Sequence, residues 1–301
     1  MVIITQILDA VRSILIEDER IVTSDHFFSS GKRKARSRVY VIIHTNKRDL
    51  FVKYDQIAKS NAFEKEYQSL EKVSSNGFSI PQPIGLINKG IVMSTIKGTS
   101  LETIIKHDGL IKSIGVLNNA VIQMTMFHRK YAIQTKKSVV QKLNHSAIDD
   151  EIFSLAQIPL NEINLGFIHG DLDPFNTFFD STSSSFGLID WEDFSEFGIQ
   201  ELDALHFVAI TGVIANPFIS HQKLYDVVFG NHEPNPYLKL LQTYCRERPS
   251  SLKTILKLVP TYCDIQNDRL KKAKRNTDNF LYNEFKSIYN ESKLDCHNDG
   301  Y

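Results

Sequence analysis

Cysteine is scarce in this sequence. Three occur in 301 residues, Cys245, Cys263 and Cys296, and their spacing matches no metal-ligand pattern. An odd number so widely spread is expected of reduced thiols in a reducing compartment, not of a disulfide framework. A charge excess of either sign is also absent, because 35 basic residues balance 35 acidic ones. No overall field favours nucleic acid, so any bound polyanion must be held by a local cluster of cations. Long apolar runs are missing too. Leu202 to Ala215 is strongly apolar, but it is too short to span a bilayer and carries His206, which suits a buried core helix. The opening stretch, Val2 to Asp18, is interrupted by Asp9 and Arg12. Its Ile4, Ile7, Leu8, Val11, Ile14 and Leu15 follow helical spacing, so it reads as an amphipathic first helix, not a signal peptide. These exclusions lead to the expectation of a cytoplasmic protein without membrane insertion and without a nucleic-acid partner.

What is present is ordinary for a globular chain: 42% hydrophobic and 23% charged residues, enough for one large domain or two lobes around a shared cleft. Arg38 to Thr45 and Leu50 to Tyr54 are rich in Val, Ile and aromatic residues, with turn residues Asn46 to Asp49 between them, which predicts a hairpin. A helix is expected next, with Asn61 and Glu64 at capping-box spacing. Pro81 and Pro83 then break the chain before a second hairpin around Asn88 to Gly90. From Ser100 the pattern turns mainly helical, clearest over Val116 to Arg129. Phe167 to Asp190 reads as short strands and loops with a serine-rich tip at Ser181 to Ser185, and the remainder as mostly helical. The expectation is an α+β chain with a strand-rich small lobe over 1–97 and a larger, mainly helical lobe over 98–301.

The block with chemical content is His169-Gly170-Asp171-Leu172-Asp173-Pro174-Phe175-Asn176, followed by Leu188-Ile189-Asp190-Trp191-Glu192. Phosphoryl transfer asks little covalent help of a protein. It asks for positioning, a hard cation on the phosphates and a carboxylate beside the attacking hydroxyl. Asp171 and Asn176, on one loop, can divide that work between hydroxyl and cation. Asp190, at the end of an apolar strand, adds the oxygen donor that magnesium prefers. A lone His-Gly-Asp is common; the joint spacing of Asp171, Asn176, Asp190 and Asp203 is far more specific.

This block resembles the catalytic signature of the aminoglycoside phosphotransferase and choline kinase family, which shares a protein-kinase-like two-lobed fold. The resemblance implies Asp171 as catalytic base, Asn176 and Asp190 as Mg2+ ligands, and ATP or GTP as co-substrate with a small-molecule acceptor. It also implies structural roles for His169, which orients the loop, for Asp203, which braces it, and for a buried His128. Such a site needs a strand lysine for the nucleotide phosphates and a helical glutamate to hold it. Lys53 ends the run Leu50-Phe51-Val52. On the following helix Phe63, Tyr67, Leu70 and Val73 form an apolar stripe. At about 100° per residue, Glu66 falls roughly 45° from the stripe centre and Glu64 roughly 115° away, so Glu66 is the partner expected for Lys53.

The phosphate-covering turn is expected at Ser29-Ser30-Gly31, before the basic run Lys32 to Arg38; those cations either contact phosphate or form a solvated face. Met93 to Ile96 would be the inter-lobe hinge. Asp173, Glu192, Asp193 and Glu196 add carboxylates near the site. They either form an acidic rim that attracts an amine-bearing acceptor or are paired and solvated. A non-catalytic nucleotide-binding regulator is the rival reading. It usually lacks the lysine or one of the two aspartates, all of which are present. The loop and Asp-Trp-Glu pattern, with only a short spacer to Asp203, are unlike a protein kinase.

Overall fold

The computed structural model describes residues 2–28, 38–58, 63–73, 77–133, 162–272 and 281–298. The first helix, α1 (Val2–Arg12), is shorter than its apolar pattern suggests, and Asp18 takes a positive φ of 62° on the way to the first strand. Five antiparallel strands follow: β1 (Ile21–Phe28), β2 (Arg38–Thr45), β3 (Asp49–Asp55), β5 (Pro83–Ile87) and β6 (Gly90–Ser94), in the spatial order β1-β2-β3-β6-β5. Both expected hairpins are present. Strand side chains alternate between faces. On β2 and β3, Val39, Val41, Ile43, Leu50 and Val52 point to one side, where Ile7 and Val11 of α1 complete a separate apolar cluster. Lys53 follows Val52 and so faces the opposite side.

That opposite side receives α2 (Glu64–Lys72). The helix begins after Phe63, which makes no side-chain cap; of the capping box expected from Asn61 and Glu64, Asn61 lies outside the described residues. The apolar stripe is nevertheless as expected, with Phe63, Leu70 and Val73 buried. A short strand, β4 (Phe78–Ser79), does not join the first sheet. It pairs in parallel with the later strand Ser185–Leu188, in a four-stranded sheet whose other strands are Thr177–Asp180 and Thr99–Ser100.

After β6 come β7 (Thr99–Ser100) and α3 (Leu101–Asp108), which Ser100 caps by accepting from the Thr103 amide. The helix α4 (Leu110–Lys130) is the one described helix long and apolar enough to cross a membrane. Here it buries Leu117, Ala120, Val121, Met124 and Phe127 in the main core. Next come β8 (Leu165–Ile168), the hairpin β9 (Thr177–Asp180) and β10 (Ser185–Leu188), and β11 (Ser195–Ile199), which pairs with β8. The sequence reading missed β11, placing this stretch in a mostly helical remainder. Helices α5 (Glu201–Ala215), α6 (His221–Phe229), α7 (Pro236–Glu247), α8 (Leu252–Lys257), α9 (Val259–Lys272) and α10 (Leu281–Asn298) complete the lobe. The apolar stretch at 202–215 is indeed a buried helix, with Leu205, Phe207 and Ala209 at zero exposure.

Candidate active site

The segment His169 to Asn176 links β8 to β9, and Asp190 follows β10. The Ile189 amide donates to the Asn176 carbonyl at 3.0 Å, which ties the two segments side by side. Behind the loop stands Asp203, in the first turn of α5 and 1% exposed. Its Oδ2 accepts from the His169 amide at 2.8 Å and its Oδ1 from the Gly170 amide at 2.9 Å. His128 Nε2 lies 3.2 Å from the same carboxylate, and its Nδ1 lies 3.0 Å from the Tyr244 hydroxyl. Burial opposes a charge on Asp203, but the His128 and backbone donors hold its carboxyl below the usual range. Gly170 takes φ +83°, where a Cβ would stand 2.5 Å from the Asp193 carbonyl oxygen, so only glycine fits.

His169 is buried, which holds its imidazole below the usual pKa and so neutral. Its Nε2 stands 3.0 Å from the Ile189 carbonyl, an acceptor only, so the proton is on Nε2. The Nδ1 atom is then free to accept the Asp171 amide at 3.3 Å. The ring packs edge-on against Trp191 at 4.6 Å. His169 therefore orients the loop, and His128 and Asp203 brace it.

Asp171 is held at both carboxylate oxygens. Asn176 Nδ2 donates to its Oδ2 at 3.1 Å and to its carbonyl at 2.9 Å. On the other side, Arg269 Nη2 reaches Oδ1 at 3.3 Å and His206 Nε2 approaches it at 3.2 Å. The His206 contact is within ion-pair distance but off the line that a hydrogen bond needs. Burial pushes the Asp171 carboxyl up, yet His206 and Arg269 together hold it well below the ordinary carboxylate range. Asp173 behaves oppositely. Burial pushes its carboxyl up to about 6, although its Oδ1 accepts the Phe175 and Asn176 amides at 2.8 and 2.9 Å.

Lys53 is 3% exposed, with Nζ 2.6 Å from Asp190 Oδ1, 3.0 Å from Glu66 Oε2 and 3.4 Å from Glu192 Oε2. Burial works against its charge, but these carboxylates hold the ammonium above the usual lysine range. Glu66 is 2% exposed and Glu64 is exposed, as the helical angles required. Asp190 adopts φ 64°, in the left-handed region; this turns its side chain back toward Lys53 as the chain leaves β10. Arg38, at the start of β2, forks onto Glu192 at 3.3 and 3.0 Å.

The carboxylate surplus does not form an open acidic rim. Glu192 is held by Arg38 and Lys53, Asp193 by Arg269 and Glu196 by Lys72. Their charges are offset by cations brought from distant segments. The turn at Ser29 to Gly31, and the basic run up to Ser37, lie outside the described residues. The sequence reading missed His206 and Arg269 as site residues. His206 drew notice only as a polar residue in an apolar stretch, and nothing local marked Arg269.

No family model matches the chain, and no curated protein matches its sequence. Among solved structures it is similar to a putative aminoglycoside phosphotransferase from Ralstonia eutropha (TM-score 0.54, 13% identity, 96% of this chain and 98% of that one). It is also similar to APH(2")-IIa in a ternary complex with streptomycin and ATP (TM-score 0.52, 16% identity, 94% and 97%). A third is choline kinase from Cryptosporidium parvum (TM-score 0.52, 11% identity, 99% and 97%). The chain has the two-lobed fold of these small-molecule kinases over nearly its full length, as the resemblance implied.

Two outcomes follow from the geometry. Asp203→Ala orphans the His169 and Gly170 amides, and urea denaturation should show a loss of about 3 kcal/mol; a loss below about 1 kcal/mol would refute the brace. Asp173 titrates near 6 in the fold and near about 3.9 when unfolded, so between those values the native chain keeps a proton that the unfolded chain has released. Stability contributed by Asp173 therefore falls as pH rises through that window. The stability difference between wild type and Asp173→Asn should shift by about 2 kcal/mol in favour of the variant from pH 4 to pH 7. A difference constant across that range would contradict the assignment.

Proposed function

We propose that this chain is a magnesium-dependent phosphotransferase that moves the γ-phosphate of ATP or GTP to a hydroxyl of a small metabolite. The observation that carries this is a run of contacts: Lys53 meets Asp190, the neighbouring Ile189 amide meets the Asn176 carbonyl, and Asn176 meets Asp171, so a buried lysine, two candidate cation ligands and a carboxylate base lie together. The similar folds supply phosphotransferases and a choline kinase as analogues.

Lys53, held by Glu66, would engage the nucleotide phosphates. The donors fit magnesium, a hard cation that takes oxygen ligands. Asn176 commits its Nδ2 to Asp171 and so has its amide oxygen left to offer, while Asp190 shares one carboxylate oxygen with Lys53 and keeps the other. When bound, magnesium would neutralise charge on the phosphates. Asp171 then receives the acceptor hydroxyl. The acceptor oxygen attacks the γ-phosphorus, the bond to the bridging oxygen of the diphosphate breaks, and the hydroxyl proton passes to Asp171. With its pKa held low, Asp171 orients the hydroxyl first and takes the proton only as the new bond forms.

The acceptor is an alcohol. With Glu192, Asp193 and Glu196 already paired, charge at the rim does not favour an amino sugar or choline-like compound over a neutral sugar.

The single tryptophan, Trp191, lies between Asp190 and Glu192 and serves as a fluorescence reporter of nucleotide binding. Pools of amino sugars, neutral sugars and amino alcohols would be screened for acceptor-dependent nucleotide consumption. Asp171→Asn should lose at least about 100-fold in transfer while binding magnesium nucleotide with near wild-type affinity. Near-normal turnover by that variant would sink the base assignment. Asp190→Ala should weaken nucleotide binding only when magnesium is present; unchanged metal dependence would remove Asp190 from the cation site. Binding without transfer to any pool would favour a regulator.

A further inference from the structure

We propose that Arg269 is a positioning residue for the phosphoryl-transfer step: from the C-terminal helices it fixes the rotation of the Asp171 carboxylate, so that the base is aimed before an acceptor arrives. This rests on the phosphotransferase reading above and deepens it.

An aspartate carboxylate turns easily about its last torsion, whose energy profile is broad. A contact at one oxygen leaves that rotation soft, and contacts at both oxygens from different elements stop it. Asn176, on the loop itself, holds Oδ2. Arg269, near the end of α9, meets Oδ1 at 3.3 Å, beside His206 of α5 at 3.2 Å. His206 is itself steered by the Tyr262 hydroxyl at its Nδ1, 3.0 Å away and also on α9. The helix α9 thus controls the Oδ1 side through Tyr262 and Arg269, two turns apart on one helical face.

The rest of the Arg269 fork converges on the same place. One terminal nitrogen donates to the Gly170 carbonyl and to Gln266 Oε1, the latter at 3.2 Å. The other donates to Asp193, three residues after the cation-site candidate Asp190. A planar guanidinium with several donors in fixed directions can hold the loop backbone, Asp171 and Asp193 at once, which an ammonium cannot. An ion pair kept only for stability is weak support for a fold. Here, among the described residues, the acceptors outside α9 belong to the catalytic-loop candidate or to the segment after β10. Arg269 and His206 sit at ion-pair distance from Oδ1, while Oδ2 carries one hydrogen bond, from Asn176, and keeps capacity for an acceptor hydroxyl. Preorganisation of this kind lowers a barrier without altering how the nucleotide itself binds.

The test needs no acceptor. Aluminium fluoride beside MgADP stands in for the transferring phosphoryl group, with water in the acceptor's place. The gain in affinity over MgADP alone, read by Trp191 fluorescence, reports how well the base side is set. Wild type should gain at least about tenfold. Arg269→Gln should bind MgADP within about twofold of wild type and lose most of that gain. Arg269→Lys should keep a part of it, and millimolar guanidinium ion should restore part of it to Arg269→Ala without raising the midpoint of unfolding.

A full wild-type gain in Arg269→Gln would overturn the proposal. So would no gain in wild type, because the base would then not be aimed in advance. Parallel loss of MgADP and aluminium fluoride affinity in the variant would reduce Arg269 to a structural clamp and overturn it as well. Failure of wild type to bind MgADP at all is a separate result: it refutes the phosphotransferase reading first, and this proposal with it.

Discussion

An ammonium group removed from water is tolerated only when it is paired and hydrogen-bonded, because desolvating one ion costs roughly several kcal/mol. Lys53 is such a group, and its three carboxylate partners come from two places. Glu66 stands on α2 of the small lobe, and Asp190 and Glu192 stand on the segment that leaves β10 in the larger one. Satisfying that one charge therefore fixes how the sheet, α2 and the segment around Trp191 meet. Arg38 repeats the link from β2 to Glu192. Lys53 and Arg38 thus tie the small lobe to the segment after β10 through shared carboxylates.

A second fixed point lies behind the loop. Asp203 accepts two consecutive backbone amides, and His128 meets it from α4, so the loop's start is pinned to two core helices. His169 carries that rigidity forward through its neutral imidazole to both Ile189 and Asp171. The loop is thus held by backbone and buried side chains, which leaves the side chains of Asp171 and Asn176 to be tuned separately. Asp171 and Asp173, two residues apart, show the consequence. Arg269 and His206 beside Asp171 keep it ionised, and burial at Asp173 favours its protonated form.

Much of this was legible in the chain. The apolar run Leu50-Phe51-Val52 pointed to Lys53 as the strand lysine, and the helix period chose Glu66 over Glu64 by angle alone. Both are local rules, and both agree with the positions found. Local rules failed where the deciding group was elsewhere. The strand Ser195–Ile199 is too short and too polar to signal itself, and it exists because β8 offers it an edge. Whether the extra carboxylates form an acidic rim or are paired stayed open in the sequence, because Arg38, Lys72 and Arg269 reach them from distant segments.

The sequence alone, then, determined the spacing of Asp171, Asn176, Asp190 and Asp203, the facing of Lys53 and Glu66, and the division into a strand-rich and a helical part. Those features depend on neighbours within a few residues, where backbone geometry dictates direction. Only the tertiary structure decided which charges are already neutralised, that Arg269 and His206 meet Asp171, and that Asp173 is driven toward its neutral form. Each depends on distance and burial between segments far apart in the chain. Electrostatic energy follows separation and dielectric environment, and neither is written in residue order.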